Sequence, residues 1–300
     1  GGAGRIVLIA GARGMGKTRL AAELYRCVVL ADGFLAPVVE KVYDARAGVP
    51  MMLDAWVATL AFSGQIFCDF AGYSHIAIGA ARVMGFRLMQ NFDRPYLSRS
   101  IAEFWSRWHI SLSTWFRDYV YIPLGGNRRG RAMMYRNLMI VMLLGGLWHG
   151  ANWTFVLWGG LHGCYLIAQR MIAPGYRALT DAIRMPHFVR DVIAIAVVFA
   201  LTCLAWIFFR AESVSIAGDI ITRTFGLSAL AQTHVPMAFD VMRGGLLIGL
   251  LVFFELIGTR ATAQRALMES RVRLLAISAC IFAVALFGTF EGTRFIYFQF

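Results

Sequence analysis

Lysine is almost missing from this 300-residue chain: Lys17 and Lys41 are the only two among 29 basic residues. Charge of either sign is scarce, at 15% of residues, and with only 17 acids the net charge is +12. Soluble domains carry about 25% charged residues, so an ordinary cytoplasmic globule is excluded. Cysteine is limited to Cys27, Cys68, Cys164, Cys203 and Cys280, with no CxxC pair and no zinc spacing. These read as single buried thiols, and no metal site is expected. A secretory leader is lacking too, because Gly1 to Arg5 is not an n-region ahead of a long apolar run. Without an initiating Met, the chain is expected to begin inside a longer protein.

Apolar and aromatic residues fill the sequence instead. Hydrophobic residues make up 59%, aromatics 14%, and mean hydropathy is +0.62. So much Phe, Trp and Leu must be hidden from water, which excludes disorder and leaves an integral membrane protein. The arginines fall mostly between apolar stretches. That pattern suits cytoplasmic loops between membrane spans, and no nucleic-acid partner is expected.

Spanning takes about 20 mostly apolar residues per helix. Val192–Phe209, Gly244–Gly258 and Leu274–Phe290 qualify, and Met133–Leu147 and Trp153–Ile172 form two further runs. Leu53–Met84 is apolar but broken by Asp69, Gly72, Ser74 and His75, residues that within a span face the protein interior. In Arg99–Arg117, Ile101, Phe104, Trp105, Trp108, Leu112 and Trp115 recur at helical spacing. One amphipathic helix lying at the headgroup level is predicted there. Pro123, Gly125, Gly126 and Asn127 then make a turn, and Arg128, Arg129, Arg131 and Arg136 mark residues 121–137 as cytoplasmic. Arg260 to Arg273 is a second basic patch, and Ser228 to Asp240 is an expected loop.

Two signals point to chemistry. Gly11 to Thr18, GARGMGKT, fits the phosphate-binding pattern GxxxxGK[ST]. Such a loop needs a parallel sheet behind it, and no βα units follow Arg26, so residues 1–26 read as an atypical N-terminal segment. A nucleotide-binding fragment remains an alternative reading. The second signal is His149, which breaks an apolar run at LLGGLWHGANW. An ionisable group at that depth is a functional candidate. His109 and His162 lie in the same aromatic middle of the chain.

FCDFAGYSHIAIGAARVMGF, NFDRPYLSRSIAEFWSRWHISLSTWFRDYVYIPLGGNRRG and LLGGLWHGANWTFVLWGGLHG closely resemble the membrane-bound O-acyltransferase family. The branch is that of the alginate O-acetyltransferase membrane subunit; LAWIFFRAES and the terminal FIYFQF also fit it. The resemblance runs from about Cys27 to Phe300, making residues 27–300 one membrane domain in which further N-terminal spans of the family are missing. It implies an all-α, polytopic integral membrane protein with a central tunnel, in a bacterial inner membrane. It also implies transfer of an acetyl group from a cytoplasmic thioester, acetyl-CoA, to a polysaccharide hydroxyl or a periplasmic acetyltransferase partner, with no bound cofactor. On this resemblance His149 is the catalytic histidine and His109 the second histidine lining the site. Chemistry agrees, because an attacking hydroxyl needs a base and neutral imidazole has a suitable pKa. Trp108, Trp148 and Asn152 are expected to bind substrate, with Tyr119 another available donor. Members carry Asp where His75 stands, so His75 is left out of the site. A non-catalytic membrane scaffold or transporter is the other alternative.

Overall fold

In a computed structural model, residues 31–43 and 52–225 are described. The GARGMGKT string, the two C-terminal spans, the Arg260–Arg273 patch and the Ser228–Asp240 loop lie outside these residues. The described elements are helical: α1 (Ala36–Tyr43), α2 (Met52–Val83), α3 (Ile101–Arg107), α4 (Ile110–Phe116), α5 (Arg131–His149), α6 (Trp153–Ala182), α7 (His187–Arg210) and α8 (Val214–Phe225). A 3-10 turn covers Pro95–Leu97 and a π turn covers Arg117–Tyr121.

The chain divides into two compact units. One includes residues 64–90, where Ile66, Phe67, Cys68, Asp69 and Phe70 of α2 are buried. The apolar run predicted from Leu53 thus forms one continuous helix, with Asp69 and Ser74 turned inward as their cost in a span demands.

The other unit includes, among the described residues, 40–43, 52–63 and 91–225 and is built on the α5–α6 hairpin. Asn152 starts α6 by accepting the Thr154 amide on its side chain at 3.1 Å, a standard N-cap. The two helices approach to backbone contact at glycines. A Cβ on Gly146 would collide with the Phe155 carbonyl, and one on Gly159 with the Met142 carbonyl. Small residues at such crossings are how membrane helices pack, since lipid offers no hydrophobic drive between them. α7 packs beside α6. Among the described residues it is the one helix long and apolar enough to cross a membrane by length and composition. Its 24 residues extend about 36 Å, against a hydrocarbon core of about 30 Å.

The predicted amphipathic helix is two helices. Ser100 caps α3 by accepting the Glu103 amide at 2.9 Å, while Glu103 accepts the Arg99 amide at 2.7 Å, close to a capping box. The helix stops at Trp108 because residues 91–93 intervene. Asp93 donates its amide to the Arg107 carbonyl at 3.0 Å, and Ile110 donates to the Asn91 carbonyl at 3.0 Å. The apolar stripe is also used differently from the expectation. Ile101, Phe104 and Trp108 are buried inside the protein, and of the three tryptophans only Trp115 is largely exposed. The stripe therefore packs on protein because α6, α7 and the 91–97 segment cover it.

Candidate active site

His149 is the last residue of α5, and Gly150 follows without a side chain where the Phe155 ring leaves no room for one. Rings surround the imidazole: Trp148 and Phe209 at 4.9 Å between centroids, Trp158 at 5.1 Å and Phe155 at 6.1 Å. Three helices thus fix it, α5 by carrying it, α6 and α7 by packing on it.

His109 occupies the break between α3 and α4 with φ 44°, the left-handed region that a side chain with a Cβ enters only under external constraint. It is buried, and burial pushes its imidazole down to about 4, so the ring is neutral at pH 7. The structure brings it to the same place as His149: Trp148 stands edge-on to both, 5.9 Å from His109 and 4.9 Å from His149.

The other expected residues have partners of their own. Trp108 is 2% exposed and stacks with Phe104 at 5.6 Å, with Phe92 at 5.0 Å and Trp206 at 5.1 Å beside it. That is a core position. Asn152 is committed at both ends of its amide, to the Thr154 N–H and, as donor, to the Glu212 carbonyl at 3.2 Å. Tyr119 is 68% exposed with its ring against Trp115. His162 is fully buried, parallel to Phe104 and edge-on to Trp105 and Trp158, a packed histidine. Among the thiols, Cys68 and Cys203 are buried as expected but Cys164 is exposed, because it lies on the outer side of α6.

An apolar cavity of about 400 Å³ opens at His149. Leu138, Val141, Met142 and Gly145 of α5 form one wall, and Trp158, Leu166 and Arg170 of α6 another. From His149 to Leu138 the wall extends about 16 Å along α5. The cavity therefore leads from the histidine toward the Arg170 level, where the Arg170 guanidinium reaches Met134. Trp105 and Trp158 both line it, and their indole N–H groups have no hydrogen-bond partner among the described residues. Sequence reasoning missed Trp105, Trp158 and Arg170. Trp158 lies one helical turn before His162 in WGGLH, a spacing that marks a packed face but not which cavity that face lines.

A membrane-bound O-acyltransferase (MBOAT) family model matches residues 24–217. The chain belongs to that family. Among curated members it is 46% identical over 210 residues to a probable alginate O-acetylase, AlgI, of Azotobacter vinelandii, covering 70% of this chain and 40% of that protein. It is 38% identical over 213 residues to a peptidoglycan O-acetyltransferase of Helicobacter pylori, 71% of this chain and 39% of that one. A teichoic acid D-alanyltransferase of Streptococcus thermophilus is 41% identical over 110 residues, 34% and 26% of the two chains. This MBOAT chain spans about 40% of the length of the first two relatives. The match takes in His149, Trp158 and Arg170, which line the cavity, and also His109 and Trp148 beside His149.

Proposed function

We propose that the chain carries the catalytic part of a membrane O-acetyltransferase that moves an acetyl group from a cytoplasmic thioester, acetyl-CoA, toward polysaccharide hydroxyls. The acceptor is the polymer itself or a periplasmic acetyltransferase partner, and the location a bacterial inner membrane crossed several times. One observation carries the reading: His149 stands at the end of an apolar cavity that follows α5 for about 16 Å toward the level of Arg170. A narrow, mostly apolar passage of this kind suits the expected tunnel, with a cation at its far end for a phosphorylated donor.

The chemistry follows from the residues. The acceptor oxygen attacks the thioester carbonyl carbon while neutral His149 takes the hydroxyl proton. The carbonyl becomes an oxyanion, which needs hydrogen-bond donors already in place. Trp105 and Trp158, whose N–H groups have no other partner among the described residues, line the cavity together with the hydroxyl donors Ser106, Ser113, Thr114 and Tyr121. Collapse of the intermediate re-forms the carbonyl, breaks the C–S bond and returns the proton from His149 to the departing thiolate. The dry aromatic walls strengthen these interactions and keep water from taking the acetyl group. His109 acts by holding a ligand or donating a hydrogen bond, beside Trp148. The test is thiol release from acetyl-CoA by the purified full-length protein with a polysaccharide acceptor. Release that depends on acceptor and vanishes in His149→Ala supports the reading; release unchanged in that variant overturns it.

A further inference from the structure

A second cavity, of about 680 Å³, carries cations and no acid. Arg131 and Tyr135 of α5 line it, with Arg170 and Arg177 of α6. Among the described residues none of these three guanidinium groups meets a carboxylate; every ion pair found there uses other arginines. Three unmatched arginines around one space make a site for a phosphate, whose oxygens accept the forked guanidinium donors.

The cavity shares Ala173 and Arg177 with a groove of about 770 Å³ between α6 and α7. Ile172, Ile193, Val197 and Leu201 form the apolar part of the groove, and the first three are 64%, 40% and 52% exposed. From Arg190 to Leu201 it runs about 16 Å along α7, which is one leaflet's share of a hydrocarbon core about 30 Å thick. Charge sits at one end only. There Arg99 is matched by Asp191 at 3.4 Å and Arg190 by Asp181 at 3.3 Å, which leaves Arg177 as the unmatched cation. That end is also the one carrying Arg131 at the start of α5, next to the basic turn expected on the cytoplasmic side.

We propose that Arg131, Arg170 and Arg177 hold the phosphate of an anionic glycerophospholipid whose acyl chain lies in the α6–α7 groove. A soluble phosphate ester would satisfy the arginines but leave the exposed apolar groove unused; a phospholipid uses both, through the one residue they share with a charge, Arg177. Basic pockets between helices on the cytoplasmic side bind such headgroups, and the anionic leaflet supplies them. The site shares Arg170 with the cavity of the acetyl-transfer reading, and its test needs no turnover.

The full-length protein is purified in detergent and stripped of lipid, and its melting is followed by tryptophan fluorescence. Phosphatidylglycerol in mixed micelles is expected to raise the melting temperature by several degrees, because a ligand of the folded state stabilises it. Phosphatidylcholine and inorganic phosphate are expected to give no such rise. Arg131→Gln with Arg177→Gln is expected to lose most of the gain. Equal gains from both lipids, a gain kept in the double variant, or a gain reproduced by inorganic phosphate overturns the proposal. The lipid comparison uses the unaltered chain, so it decides the matter even where the double variant does not fold.

Discussion

The Asn91 carbonyl accepts the Ile110 amide at 3.0 Å, and in doing so takes the place of the helix that the sequence pattern calls for across Trp108 and His109. The Asn91 side chain adds a second bond, accepting the Ser111 amide at 3.1 Å. The first amides of α4 are therefore satisfied by another segment. His109 can then sit in the left-handed region, with its ring turned toward Trp148, at a backbone cost on the order of 1–3 kcal/mol. Arg94 and Arg184 enter the same backbone region at the exposed surface; His109 differs in doing so while buried beside Trp148.

His149 and His109 are expected to separate by mutation. His149→Ala should abolish acetyl transfer in membranes holding equal amounts of each variant, a loss of roughly 10²–10⁴ in rate for a missing base. His109→Ala should be severe yet leave measurable activity, since His109 reaches the site by way of Trp148. Near-normal transfer by His149→Ala would reduce it to a packed histidine like His162.

His109 also predicts a pH effect on stability. Its folded value, about 4, lies below the ordinary value of about 6.5 because burial disfavours the charged ring. Between those values the unfolded chain binds more protons than the folded one, so stability falls as the pH is lowered from about 6.5 toward about 4. The melting temperature in detergent should drop over that window, and His109→Asn, which keeps a residue tolerant of the left-handed region, should drop less. Identical slopes for the two proteins would contradict the assignment.

Two adjacent glycines of α6 should respond in opposite ways. Gly159→Ala drives a methyl into the Met142 carbonyl, whereas Gly160→Ala meets only the Leu143 side chain at an ordinary 3.7 Å. The first is expected to cost about 1–3 kcal/mol and to lower both melting temperature and transfer; the second should leave them unchanged. Comparable losses in both would show that the α5–α6 crossing is not held by backbone contact.

Topology can be read at the turn before α5. Asn137 anchors that turn from within, its fully buried amide donating to the Leu124 and Gly126 carbonyls at 3.2 and 3.0 Å, while Asn127 is exposed. A cysteine placed at Asn127 should resist impermeant reagents applied from the periplasmic side of intact cells and react once membranes are opened. Efficient labelling in intact cells would reverse the orientation.

Composition and period were enough for the class and for most helices. Scarce charge and long apolar runs leave no soluble solution, and the runs at Met133, Trp153 and Val192 all fall within α5, α6 and α7. The WHG histidine stood out because an ionisable residue in an apolar run has a desolvation cost that only packing or function offsets. What the period could not show was the break at Trp108–His109, since the bonds that replace the helix, Ile110 to Asn91 and Asp93 to Arg107, span 19 and 14 residues of sequence. The same holds for the site. Trp108 and Asn152 have the right chemistry beside the right histidines in sequence, but tertiary contacts commit one to an aromatic core and the other to capping α6. Trp105, Trp158 and Arg170 meet His149 around one cavity only because glycines let α5 and α6 touch. Local residue order sets which faces are apolar; the close approach of distant segments sets which of those faces enclose a cavity and which are filled.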